Sequence, residues 1–380
     1  MMFSTQFSGG GVPLGGVVQG YGLTEPMYVR RDGRALSRAA YPRLSTKFPF
    51  GRLTGTIRTL PNTPTGYSVA ASPTYFVAPT SANNPGIQYS TDGATWSSAS
   101  VSMPSSSVAT LIWAGTRFCT VNTNTTVPYV TTGDNPNSVW TATTGGFNSV
   151  PSGLLNLLAY GSTPGRIVCV SGGGSTSVQT LDSGSTAWVS RSGLVSLNRR
   201  GVCWSGQKFV IVCENAAVVS SSTDGITWAE SQIPEAIAAS SGDIASNGAG
   251  VIVMTGAASG LWVSTDHGAT WCPVGIPGVA SSSAWKVTYS GDRFFIPTAL
   301  GVAMSLDGKE WFVEAQSLQA RTLNSGFAKK GSAIVQIQGS ATAYSFTESA
   351  TDFCVPMGDV YVPSVSGNPV ASAPTFIRAL

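Results

Sequence analysis

Proton transfer, charge stabilisation and metal binding all need ionisable side chains, and few of the 380 residues supply them: 10% are charged and there is one histidine. Many aspartates sit in one recurring type of stretch, represented by Ser264-Thr-Asp-His-Gly-Ala-Thr-Trp271, which also holds the only histidine, His267. Acids other than the aspartate of these stretches include Glu214, Glu230, Glu235, Asp243, Asp292, Glu310, Glu314, Glu348, Asp352 and Asp359. Glycoside hydrolysis would need two carboxylates on one face. Glu214 and Glu230 could share a rim, but no spacing selects them. Six cysteines show no Cys-x-x-Cys pair and no histidine cluster beside them, so neither metal nor cofactor is expected. They read as small apolar core residues.

The recurrence is the stronger signal. Ser90 to Trp96, Ser222 to Trp228 and Ser305 to Trp311 are close copies of the stretch at 264, and Asp134 to Trp140 and Asp182 to Trp188 are looser ones. The tryptophans at 96, 140, 188, 228, 271 and 311 are 44, 48, 40, 43 and 40 residues apart, a period that marks a repeat architecture. Asp-Gly suits a tight hairpin, because glycine accepts positive φ and aspartate can bond the turn's own N–H groups. A residue set present in every unit reads as turn fixing. The structural set is therefore Asp92 and Trp96, Asp224 and Trp228, Asp266 and Trp271, Asp307 and Trp311.

A second hairpin precedes each copy. Trp113-Ala-Gly-Thr-Arg-Phe118, Trp204-Ser-Gly-Gln-Lys-Phe209 and Tyr289-Ser-Gly-Asp-Arg-Phe294 share a glycine turn, a basic residue and a phenylalanine. Apolar B strands are expected at 75–78, 117–121, 166–170, 208–213, 250–254, 293–297 and 333–337. Each unit reads as four strands, A to D. The expected fold is all-β, a seven-bladed β-propeller of four-stranded antiparallel blades over 62–356. A small α+β N-terminal attachment domain, 1–61, would be completed by the C-terminal strand. Residues 357–380 would return to that domain or close the ring. Ser37 is the expected N-cap of a short helix over 38–48, with Tyr41, Leu44 and Phe48 on its inner face.

A net charge of +3 argues against a nucleic-acid partner, and no 18-residue apolar run offers a membrane span. The start, Met1 to Tyr21, lacks a basic n-region and a continuous apolar h-region, which argues against a signal peptide.

The Ser-x-Asp-x-Gly-x-x-Trp pattern resembles the Asp-box, or BNR, repeat of sialidases, sortilins and related propellers. Ser264 to Trp271 matches its spacing, and the copies at 90, 222 and 305 are one residue shorter. The resemblance implies a structural turn on the C–D side, away from the ligand face. A sialidase would also need an arginine cluster. Arg117, Arg166 and Arg293 belong to the glycine-turn repeat, and Arg191, Arg199, Arg200 and Arg321 form no evident triad. The expectation is a non-enzyme; the alternative is a sialidase-like glycosidase acting on host polysaccharide.

Arg31-Asp-Gly-Arg-Ala-Leu-Ser-Arg-Ala-Ala-Tyr-Pro-Arg-Leu44, with Thr59-Leu-Pro-Asn62 and the final Pro374-Thr-Phe-Ile-Arg-Ala-Leu380, is similar to the collar domain of phage tail fibres. The resemblance implies a virion protein of the tail tip or fibre, made in the host cytoplasm. Residues 1–61 and 357–380 would bind other tail or baseplate proteins in a trimer or other multi-copy assembly. The propeller would face a host glycan. For that contact the D–A and B–C loops are expected to supply Asn83, Asn84, Asn122, Asn124, Phe147, Asn148 and Arg191.

Overall fold

A computed structural model describes residues 17–19, 28–30, 35–45, 48, 50–64, 68–80, 86–100, 108–122, 128–144, 156–170, 176–214, 216–233, 243–256, 260–276, 279, 286–315, 325–338, 341–354 and 375–378. Seven antiparallel sheets, each with an order set by hairpins, form the blades of a propeller. Blade 1 is Ala70–Ala71, Phe76–Pro79, Ile87–Ser90 and Ser97–Ser98, as strands A to D. Blade 2 is Val108–Trp113, Phe118–Asn122, Tyr129–Val130 and Thr141–Ala142, and blade 3 is Leu158–Gly161, Arg166–Val170, Ser177–Asp182 and Val189–Ser192. Blade 4 is Arg199–Trp204, Phe209–Cys213, Val218–Ser222 and Ala229–Gln232, and blade 5 is Asp243–Ser246, Ile252–Gly256, Gly260–Ser264 and Cys272–Val274. Blade 6 is Thr288–Ser290, Arg293–Pro297, Gly301–Ser305 and Phe312–Ala315. The expected B strands are found in all seven blades. They are almost wholly buried, as in Phe209–Cys213 and Arg293–Pro297, because a propeller blade is covered on both faces by its neighbours.

Blade 7 is built differently. Phe327–Lys330, Ala333–Gln338 and Thr342–Cys354 give three strands, and the outer edge of the third pairs with Gly51–Thr59. The register runs from Thr59 opposite Thr342 to Leu53 opposite Glu348, and Ala35–Ser37 continues along the same long strand. A segment that precedes blade 1 thus closes the ring. The expected boundary at 61 falls after this closing strand. Among the described residues, Val17–Gln19 and Tyr28–Arg30 flank Thr375–Arg378 in a separate three-stranded sheet. The strands on either side of Asp32-Gly33 therefore belong to different sheets and are not a hairpin.

The expected helix over 38–48 is shorter, Pro42–Ser45. Proline with its fixed φ occupies the first helical position, and residues 38–41 form turns before it. Ser37 still accepts a bond from the Ala40 N–H at 3.4 Å. Leu44 and Phe48 pack with Leu36 and Phe353, and Tyr41 lies half-buried against them. No helix among the described residues is long and apolar enough to cross a membrane.

The recurring turns are fixed by bonds within themselves. In the copies at 90, 222, 264 and 305 the serine hydroxyl donates to the aspartate and accepts the glycine N–H at 2.7–2.8 Å. One aspartate oxygen accepts two further N–H groups, as Asp92 does from Ala94 and Thr95. Trp96, Trp271 and Trp311 donate Nε1–H to the turn glycine's carbonyl at 3.2, 3.1 and 2.7 Å. Trp228 lacks that bond. At Gly308, φ is +73° and a Cβ would lie 2.7 Å from Val253 of blade 5, so only glycine lets this turn seat against its neighbour.

Candidate functional site: the axial channel

Of the residues expected to contact a ligand, Asn83, Asn84, Asn124, Phe147 and Asn148 lie outside the described residues. Asn122 ends strand B of blade 2, and its side chain is outside the description. Arg191 lies in strand D of blade 3, two residues into Val189–Ser192, where its Nε donates to Thr180 Oγ1 at 3.1 Å. Arg191, expected in a D–A loop, is therefore in the strand, and the loop begins after Ser192. Glu214 is engaged by Arg200, and Glu230 accepts the Val195 N–H at 3.1 Å. His267, at φ +59°, places Nδ1 3.1 Å from the Ser205 carbonyl oxygen of blade 4. Its role is a contact between blades. Cys119, Cys169, Cys203 and Cys213 are buried as expected, whereas Cys272, at the start of an outer strand, is exposed.

What the structure brings together is the axial channel, about 460 Å³, lined by strand A of every blade. Its polar end was not legible as a unit in the sequence. Asp243 opens strand A of blade 5 and is fully buried; Lys286 precedes strand A of blade 6 and is 4% exposed. Asn156, just before strand A of blade 3, joins them. Its N–H donates to Asp243 Oδ1 at 2.9 Å and its Nδ2 to Asp243 Oδ2 at 3.2 Å. The same Nδ2 donates to the carbonyls of Ile244 and Val287 at 3.0 and 2.9 Å, while Val202 of blade 4 donates its N–H to the Asn156 carbonyl at 2.9 Å. The Val287 N–H also donates to Asp243 Oδ2. Gly201 makes room, since a Cβ there would meet Ile244 at 3.1 Å and Asp243 at 3.4 Å.

Blades 3 and 6 thus converge on the carboxylate of blade 5, and blade 4 holds Asn156 in place. Burial pushes the Asp243 carboxyl up, opposed by the Lys286 ammonium and by N–H donors. Burial pushes Lys286 down, opposed by Asp243. Buried acids and amines shifted in this way mark candidate sites as well as structural ones. Among the described residues no group of three or more His, Cys, Asp or Glu side chains could hold a metal. Sequence reasoning counted Asp243 only as one acid among many and passed over Lys286. The one available signal was that both fall at strand A starts, where a charge is unexpected.

No family model matches the chain, and no curated protein matches it. Solved structures do. Streptogramin B lyase aligns with a TM-score of 0.61 at 11% identity, covering 78% of this chain and 98% of that one. A catalytically inactive virginiamycin B lyase from Staphylococcus aureus, with quinupristin, gives 0.64 at 10% identity, covering 78% and 99%. PorZ, a surface component of the type-IX secretion system of Porphyromonas gingivalis, gives 0.55 at 10%, covering 81% of this chain and 39% of that one. At these identities the likeness is one of fold. It corrects the expectation of a non-enzyme: this seven-bladed architecture carries lyases, so repeated structural turns are no ground for excluding catalysis. What the chain is similar to is a set of propellers that includes enzymes and a bacterial surface component.

Proposed function

We propose that the chain is a structural protein of a phage tail tip or tail fibre, displaying its propeller for adhesion to a host-surface glycan. The observation that carries this reading is the separate sheet in which Thr375–Arg378 lies between Val17–Gln19 and Tyr28–Arg30. Tyr28–Arg30 adjoins the front segment similar to the tail-fibre collar, and Thr375–Arg378 belongs to the rear one. In this reading residues 1–61 and 357–380 attach the protein to other tail or baseplate proteins, in several copies, and the ring is left to face outward. The Ser-Asp-Gly-Trp turns, similar to Asp-boxes, serve as bonds between blades. Adhesion is compatible with chemistry in the channel and does not depend on it.

The test is to raise antibodies against the chain and probe purified particles of the phage that encodes it, by mass spectrometry and immunogold labelling. The expected result is label at the tail and blocked adsorption to the host. Absence from particles sinks the proposal.

A further inference from the structure

The strand A residue that pairs with the first large apolar residue of strand B is the same structural position in every blade. It is Ala71, Trp113, Tyr160, Trp204, Ser246, Tyr289 and Lys329 in blades 1 to 7. Blade packing does not demand an aromatic there, since alanine, serine and lysine serve in three blades. Yet blades 2, 3 and 4 carry three consecutive rings, all half-buried and all lining the channel at its end opposite Asp243.

Each of these rings is held by its surroundings. Trp113 meets Phe118 edge-on at 4.9 Å, and Trp204 meets Phe209 at 4.7 Å. Tyr160 rests on the Gly115 turn, where a Cβ would come within 2.9 Å of the ring, and Trp204 rests likewise on Gly161, at 3.0 Å. The next blade adds polar groups. Asn247 Oδ1 accepts the N–H groups of Ala249 and Val251 at 2.8 and 3.1 Å, which leaves its NH2 without a partner among the described residues.

We infer that this arc, Trp113, Tyr160 and Trp204 with Asn247 beside it, is a saccharide-binding surface at the mouth of the channel. The inference rests on the adhesion reading above and moves the contact from the D–A and B–C loops expected from the sequence to the A–B end of the channel. Sugar rings present apolar C–H faces that stack on fixed aromatic rings, and their hydroxyls accept from an amide donor. Preorganised rings lose little freedom on binding. A channel of 460 Å³ is within the range of small-ligand sites. The arc contributes no charge, so it suits a neutral saccharide.

The experiment uses the full chain on an array of purified bacterial O-antigen and capsular polysaccharides, with two variants. Trp204→Ala removes the ring next to Asn247. Asn247→Asp keeps the acceptor that fixes the turn and exchanges the spare NH2 for a carboxylate, so its fold is retained by design; an unchanged melting curve verifies this. The expected result is binding of at least one neutral polysaccharide by the native chain, weakened about tenfold or more in Asn247→Asp. Native binding with both variants undiminished overturns the inference and leaves adhesion standing. No binding by the native chain to any member of the array overturns both.

Discussion

At the scale of single residues, two kinds of position separate sharply. Gly308 and Gly184 have nearly the same φ, +73° and +78°, but a Cβ at Gly184 would meet nothing within 4 Å while one at Gly308 would strike Val253. Gly308→Ala therefore adds a steric clash to the backbone strain that Gly184→Ala carries by itself. Each should lose about 1–2 kcal/mol from the backbone term, and Gly308→Ala should show the larger drop in urea midpoint; equal drops would mean the blade 5 contact does not matter. Asp243 and Lys286 pose the other case. Lys286→Met leaves a buried carboxylate with its counter-charge gone, and should cost about 3–5 kcal/mol. Adding Asp243→Asn should recover part of that loss, because the two changes share one interaction. Additive losses in urea unfolding would show that the pair is not coupled.

At the scale of strands and turns, the basic residue of a blade's A–B turn reaches the C–D turn of the next blade. Arg117 of blade 2 donates to the carbonyls of Ser185 and Asp182 in blade 3 at 2.9 and 3.0 Å. Arg166 of blade 3 donates to the Asp224 carbonyl of blade 4, and Lys330 of blade 7 to the Thr91 carbonyl of blade 1 at 2.6 Å. Arg117→Met keeps the apolar stem and removes both bonds, which should destabilise by about 1–3 kcal/mol. A melting temperature equal to the native one would show that these bonds add nothing. This pattern explains what the sequence disclosed. Turn chemistry and buried B strands recur every 40 to 48 residues, so blade number and strand order were readable from local spacing. The closing strand Gly51–Thr59 was not, because its pairing with Thr342–Cys354 spans most of the chain and carries no repeat signature. The cluster of Asn156, Asp243 and Lys286 was hidden for the same reason: its members come from three blades and meet only when the ring closes. The helix over 38–48 shortened because Pro42 suits a first helical position better than an interior one.

At the scale of the whole ring, closure concentrates charge at the seam between blades 6 and 7. Arg293 is 4% exposed, lies 4.4 Å from the Phe50 ring centroid, and donates to Asp292 on its own turn and to Glu348 of blade 7. Glu348 Oε1 accepts the Gly51 N–H at 2.8 Å, at the start of the closing strand. Lys329 of blade 7 donates to Asp292 at 2.9 Å. Glu314 of blade 6 accepts the Leu53 N–H through both oxygens, at 2.7 and 2.8 Å. Burial works to raise the Asp292 carboxyl, but hydrogen bonds from Arg293 and Lys329 outweigh it and hold it at about 2, below the ordinary 3.8. A carboxyl depressed on folding stabilises the folded state above its unfolded value and loses that contribution as pH falls through the folded one. The seam should therefore weaken as pH drops from about 4 towards 2. Asp292→Asn cannot gain this charge at any pH, so its melting temperature should lie below the native one at neutral pH and converge on it in acid. The carboxylate is half exposed, so salt should shrink the gap at neutral pH. Parallel melting curves from pH 6 to 2 would show that Asp292 does not hold the ring closed.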